Sequence, residues 1–307
     1  MKKVLFIGDI NVDVMMGGMQ SPPMIDREVT CETYDVTMGS SAVISATAYT
    51  ALGGKAGFLG LAGKDDYGEF MTAGLRRFGI DTRLVRRAAA VRTGVTINMI
   101  HGRNRTQVTY PGTIAAFSGK DVTSATLRGC HHLHFAGPYL QTHFRPHITR
   151  LLRAARRMGI STSLDPQWDP AGKWEFMSQW LPLLTWFFPN ADEARSITRR
   201  DSAERACLAL AARTRCPVLK AGKEGALLCA DGGVRTVPTP SVKVVDTTGA
   251  GDSFDAGFLF AVLEKNMSPA DAARFANAVA ARSCTFVGGT AARSTYRDVI
   301  RLMEKTP

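Results

Sequence analysis

Short apolar runs that read as buried strands alternate with longer stretches of helical period along most of this chain, and this alternation restricts the fold more than any other feature. Residues 4–7 form a compact apolar run closed by Gly8. Residues 40–52 are rich in Ala and other small residues and stop at Gly53-Gly54, residues 57–62 read as another buried strand, and Phe70, Leu75 and Phe78 follow a helical period that ends at Gly79. Farther on, strands near 132–136 and 162–164 flank a helix that carries Ile148, Leu151, Leu152 and Ala155 and stops at Gly159. Strands near Val218 and Ala226, a helix after Asp252 and another after Pro269 complete the series. Strands that alternate with helices predict an α/β fold with a mostly parallel central sheet and helices on both faces.

One segment breaks the rhythm. Residues 93–100 alternate and are β-branched, His101-Gly102-Arg103-Asn104 is a turn signal, and residues 105–110 alternate again, so a hairpin is expected inside the α/β chain. The stretch from Gly8 to about Asp35 is rich in Gly, Pro and Met and has no helical period. A length of 307 residues allows one large or two moderate domains.

Lys2 and Lys3 before an apolar run imitate a secretory signal, but the run is too short, and no stretch has the roughly 20 apolar residues of a membrane helix. The six cysteines contain no C-x-x-C pair and read as thiols of a reducing compartment, so a cytoplasmic location is expected, without membrane partners. The formal charge of +11 permits nucleic acid or anionic small molecules as partners. Arginine pairs such as Arg76-Arg77 and Arg156-Arg157 are dispersed, which argues for solvated helix faces and against nucleic acid; no continuous basic stripe is expected outside an active-site cleft.

The segment 244–254 reads Val-Val-Asp-Thr-Thr-Gly-Ala-Gly-Asp-Ser-Phe, a strand end running into glycines and then a helix whose buried face is marked by Phe254, Phe258, Ala261 and Val262. Gly249, Ala250 and Gly251 leave backbone N–H groups open to an anion at the helix N-terminus, where the dipole adds attraction. Asp252 beside them can accept the proton of an alcohol that attacks a γ-phosphate, or it can simply cap the helix. Asn11 and Asp13 suit a polyol, Asp13 as an acceptor and Asn11 as donor and acceptor; without function they are a turn after a strand.

The run Asp246-Thr247-Thr248-Gly249-Ala250-Gly251-Asp252-Ser253-Phe254 resembles the carboxyl-side signature of the ribokinase-like, or PfkB-type, carbohydrate kinases. The likeness continues through Gly8 to Asp13, Gly39, Gly63-x-Asp65-x-x-Gly68, Asn190-x-x-Glu193, Gly222-x-x-Gly225-Ala226 and Ala276-Asn277-Ala278. The resemblance implies a single ribokinase-like domain over 1–307, with a small β lid formed by about 12–36 and 91–112. It implies transfer of the γ-phosphate of ATP to a hydroxyl of a sugar or sugar acid, with Mg²⁺. Asp252 is then the base, Gly249, Ala250 and Gly251 the anion hole, and Asn11, Asp13, Gly39 and Ser40 substrate positions. Asn190, Lys220, Gly222, Gly225 and Asn277 become nucleotide positions and Glu193 a Mg²⁺-associated acid. Asp246 and Thr248 fall where many relatives hold a monovalent cation such as K⁺. Lids in that family often pair between subunits, so a homodimer through the lid is a further expectation.

The chain departs from the family pattern at Ser40, where relatives carry a second glycine, and at Ile44, where they carry an Asn that touches the sugar. Loss of that amide implies a substrate held differently from ribose. Lys220 replaces a Thr of many members and would add positive charge near the nucleotide phosphates, and Arg103, Arg105 and Gln107 on the hairpin could meet an acidic sugar or be solvated. A nucleoside kinase, or a non-catalytic sugar- or nucleic-acid-binding protein of the same fold, are the alternatives. A Rossmann dehydrogenase lacks its G-x-G-x-x-G here and a Walker NTPase its lysine loop. His131-His132-Leu133-His134 invites a zinc reading, but only two of the three share a strand face, and His143 with His147 lacks the Glu of H-E-x-x-H. The four tryptophans between 168 and 186 are interleaved with Phe and Leu and read as core.

Overall fold

The computed structural model describes residues 1–102, 104–230 and 232–305, and of Arg105 and Ala230 the backbone alone. Its strands are β1 (Lys3–Ile7), β2 (Asn11–Gly17), β3 (Thr33–Met38), β4 (Lys55–Gly63), β5 (Asp81–Ala88), β6 (Gly94–His101) and β7 (Asn104–Tyr110). They continue as β8 (His132–Ala136), β9 (Ser161–Asp165), β10 (Trp186–Phe187), β11 (Val218–Lys220), β12 (Ala226–Ala230) and β13 (Gly233–Val237). The central sheet has the order β10-β9-β8-β1-β4-β5 with every pairing parallel. β1 explains why both faces are covered: Val4 and Phe6 belong to one core and Leu5 and Ile7 to the other, as a period of two dictates.

Strand order reverses at β1, with β4 and β5 on one side and β8, β9 and β10 on the other. In open α/β sheets ligands bind beyond the carboxyl ends of the strands at such a switch point. The residues that leave those ends here are Asp9 after β1, Asp165 closing β9 and Asn190 after β10. β11 extends this edge, since single bridges join Phe187 to Pro217 and Asn190 to Lys220 in parallel, and Lys220 closes β11.

The helix Ala250–Glu264 is buried nearly all round, packed between the helices Ser41–Ala51 and Pro269–Ser283. Leu259, Phe260 and Leu263 are buried as well as the expected Phe254, Phe258 and Ala261, whereas Val262 is only half-buried. A stripe was the wrong picture for an internal helix, which presents no solvent face to mark its period.

A second sheet, β3-β2-β6-β7, contains the expected hairpin, with Thr96 opposite Thr109 and Asn98 opposite Gln107. β2 pairs β6 in parallel and β3 antiparallel, so the Gly- and Met-rich stretch supplies two strands that its composition hid, and Asn11 and Asp13 stand on β2 rather than in a turn. No helix among the described residues is long and apolar enough to cross a membrane.

Candidate active site

Gly249 is the N-cap of the Ala250–Glu264 helix with a φ of 74°, and a Cβ on it would lie 2.9 Å from both Gly289 Cα and Ile44 Cγ2. Only glycine meets both demands at that turn. Ile44 also packs against Gly289, where a Cβ would stand 2.5 Å from Ile44 Cδ1. The residue that replaces the family's amide therefore buttresses the glycine turn. Asp246 ties the same turn together, accepting from Thr248 N–H at 2.9 Å, Thr248 Oγ1 at 2.8 Å and Gly288 N–H at 2.9 Å.

Asp252 lies in the first turn of this helix but caps no backbone group; its Oδ1 accepts from the Ser41 hydroxyl and from Gln167 Nε2 at 3.4 Å. Burial, reinforced by the charge of Asp165, pushes its carboxyl up to about 7, with the Ser41 hydrogen bond opposing. A carboxylate poised near neutrality is suited to general base work. Ser41 and Gln167 were not singled out from the sequence. The signals were there, since Ser41 opens the Ala-rich helix and Gln167 follows Asp165-Pro166 at a strand's carboxyl end.

Behind Asp252 the ammonium of Lys220 sits 2.8 Å from Asp165 Oδ2 and 3.3 Å from Asp255 Oδ1, with both acids buried. Burial drives Asp255 far toward its protonated form; for Asp165 the same burial is outweighed by Lys220 and by hydrogen bonds, which hold it ionised. Lys220 is therefore engaged by carboxylates, though a Cβ on Gly251 would stand only 3.4 Å from its Nζ. Asp255, three residues after Asp252 on one helix, escaped the sequence reading although that spacing places the two side by side. Carboxylate oxygens of Asp165, Asp252 and Asp255 lie within 4.8 Å of one another.

Asn190 and Glu193 form a reciprocal capping box at the start of the helix Ala191–Thr198, each side chain accepting from the other's backbone N–H at 2.8 Å. Burial, with the Asp165 charge, pushes Glu193 up to about 7. Asp9 is buried as well and rises to about 6, with Ser40 Oγ donating to it. The Lys220 ammonium contacts only Asp165 and Asp255, with Glu193 and Asp252 within electrostatic reach, an excess of oxygen donors that suits a divalent cation.

A cavity of about 440 Å³ opens on the far side of the glycine turn, lined by Gly222, Gly225, Val242, Phe254, Asn277 and Ala281 among others. Gly225 has a φ of 93°, and a Cβ there would meet Val237 O at 2.0 Å. Asn277 Nδ2 donates to Val237 O at 2.8 Å and Pro238 O at 3.1 Å, so it holds the segment that walls the cavity.

On the other side, Gly39 lets Asn11 and Asp13 approach: a Cβ would lie 2.6 Å from Asn11 Nδ2 and 2.5 Å from Asp13 Oδ1. Asn11 Nδ2 donates to Asp13 Oδ1 at 3.1 Å and to Thr96 Oγ1 at 3.4 Å, and Gln107 Nε2 donates to Asn98 Oδ1 at 2.8 Å. Asn98 Nδ2 is buried and has no partner among the described residues, which makes it a donor available to a ligand. Ser40 keeps the left-handed backbone, φ 75°, that favours glycine, and its hydroxyl is spent on Asp9 and on capping the Ser41–Ala51 helix. Ser40 is thus a framework residue in this structure.

The histidine expectation resolves as core: His132 Nε2 and His134 Nδ1 both meet Ser163 Oγ, and both rings are buried. The tryptophan expectation holds for buried Trp174 and Trp180 and fails for Trp168, which is 54% exposed beside Gln167. Of the hairpin cations, Arg103 and the Arg105 side chain lie outside the described residues.

The pfkB family carbohydrate kinase profile matches residues 1–295. Ribokinase of Haemophilus influenzae is 24% identical over 99% of each chain, and aminoimidazole riboside kinase of Salmonella typhimurium is 27% identical over 95% of this chain and 92% of its own. Among solved structures, a candidate ribokinase II from E. coli in complex with ATP and Mg²⁺ superposes with a TM-score of 0.88 at 21% identity, over 99% of this chain and all of that one. A glycine turn, a buried acid and a flanking cavity on a ribokinase-type sheet thus agree with the sequence match, and the chain belongs to the pfkB family of carbohydrate kinases.

Proposed function

We propose that this protein transfers the γ-phosphoryl group of ATP to a hydroxyl of a sugar or sugar acid, with Asp252 as the general base. The observation that carries this reading is the place of Asp252, buried and poised near pH 7, between the glycine turn and the polar floor of Asn11, Asp13 and Gly39. A binding-only protein has no use for such a group. Asp252 would take the proton of the attacking hydroxyl while the N–H groups of Gly249, Ala250 and Gly251 hold the charge that develops on the phosphoryl oxygens. Asn277, Gly222 and Gly225 shape the adenosine cavity; Lys220 and Asn190 lie at its phosphate end.

Glu193 and the Asp165, Asp252 and Asp255 group are the donors that fit Mg²⁺, which when bound neutralises phosphate charge. Asp246 and Thr248 would hold a monovalent cation, so replacing K⁺ by tetramethylammonium is expected to lower turnover.

We assign the second sheet, about 12–36 and 91–112, the role of a lid on one domain. Its polar row of Asp13, Thr96, Thr109, Asn98 and Gln107 faces the substrate, and closure would keep water from competing with the sugar. The opposite face exposes Tyr34, Ile97, Val108 and Tyr110, a surface suited to the lid of a second copy. Exposed Trp168 beside Gln167 supports a second reading, a nucleoside whose base stacks on the indole. A panel of sugars, sugar acids and nucleosides assayed for acceptor-dependent ADP release tests these readings. One class well above background is the expected result, and release independent of every acceptor would remove the proposal.

A further inference from the structure

At the opposite, amino-terminal edge of the sheet the surface forms a second groove of about 820 Å³ that plays no part in the chemistry above. Lys2, Arg215 and Arg235 line it, and no carboxylate does. Among the described residues none of these three side-chain cations has an ion-pair or hydrogen-bond partner, and both arginines are exposed. Two acids next to lining residues in the chain are already engaged: Glu264 accepts from Lys2 N–H at 2.7 Å and Tyr49 O–H at 3.3 Å, and Asp271 accepts from Ser268 Oγ at 2.6 Å. Hydroxyls of Ser161 and Thr185 and the half-buried ring of Trp186 complete the wall.

We propose that this groove is a second ligand site, for a small molecule that carries a phosphate group. Three cations without an ion-pair partner among the described residues line one concavity, where fixed charge is concentrated and the Thr185 hydroxyl adds a donor to phosphate oxygens. The volume is that of a small-molecule pocket, and an aromatic wall beside the cations matches a ligand with both a ring and an anionic end.

The test uses the full chain with its catalytic site saturated by a non-hydrolysable ATP analogue and Mg²⁺. AMP, ribose 5-phosphate and inorganic pyrophosphate are then titrated by calorimetry. One further equivalent of AMP or ribose 5-phosphate is expected to bind, more weakly at high salt. Arg215→Ala and Arg235→Ala should each weaken it about tenfold, with basal turnover unchanged. AMP binding that also alters fluorescence lost in Trp186→Phe would identify a nucleotide; equal binding of ribose 5-phosphate without that change would identify a sugar phosphate. The proposal is overturned if neither phosphorylated compound binds beyond the blocked site, or if binding survives unchanged in the double Arg215→Ala, Arg235→Ala variant. It does not depend on the kinase reading, since this titration needs no turnover.

Discussion

A buried aspartate that titrates near neutrality affects both rate and stability, in opposite directions. Burial raises Asp252 from 3.8 to about 7, so the folded state holds a proton that the unfolded chain has released between those values. The stability this gives is complete below about pH 4 and is lost as pH rises through 7. Asp252→Asn should therefore have a Tm close to wild type at pH 4 and a higher one at pH 8, measured on the ligand-free protein. With Asp252 as the proposed base, transfer needs its ionised form, so kcat/KM should climb about tenfold per pH unit below 7 and level off above it, as a pH–rate profile would show. At Gly39 the constraint is steric, because a methyl group would press on Asn11 and Asp13. Gly39→Ala should raise the KM for the sugar at least about tenfold and leave that for ATP nearly unchanged, since a 1.4 kcal/mol loss of contact is a factor of ten.

Between elements, the interaction with most at stake is the ammonium of Lys220, at the end of β11, against Asp165 of β9 and Asp255 of the Ala250–Glu264 helix. Removing one partner of a buried charge pair costs about 3–5 kcal/mol. Lys220→Met should lower stability by that order in urea unfolding, and the double change Lys220→Thr, Asp255→Asn should recover part of it. Of the central sheet, β1, β4, β8 and β9 were legible in the sequence because they are apolar runs set off by glycine stops, whereas the edge strand β5, half-buried and rich in arginine, was not. β2, β3 and the short β10 were not, because Met- and Gly-rich strands with polar inward positions carry no clean period. The glycine turn and Asp252 were legible as a local string. Ser41, Gln167, Asp165 and Asp255 come to Asp252 from three other elements or from one helical turn away, and their partnership depends on the sheet order that places β9 and β11 along one edge. Ile44 shows the limit from the other side: the missing amide was legible, but its replacement's contact with Gly249 and Gly289 was not.

For the molecule as a whole, the proposed lid links closure to assembly. If two lids pair through Tyr34, Ile97, Val108 and Tyr110, Val108→Glu should shift the sedimentation coefficient from dimer to monomer. The catalytic edge and the cationic groove occupy opposite ends of the same sheet. In the proposed reaction Asp252 supplies the base for transfer of phosphate from ATP to a substrate hydroxyl. The most direct measurement is ³¹P NMR of the reaction mixture with an accepted sugar, run for wild type and Asp252→Asn, with ATP affinity of both measured by calorimetry. The account predicts a phosphate-monoester signal with wild type, its formation slowed at least about 100-fold in the variant, and ATP affinities within about threefold of each other, under 0.7 kcal/mol apart. Product formation by Asp252→Asn at near wild-type rate would contradict it.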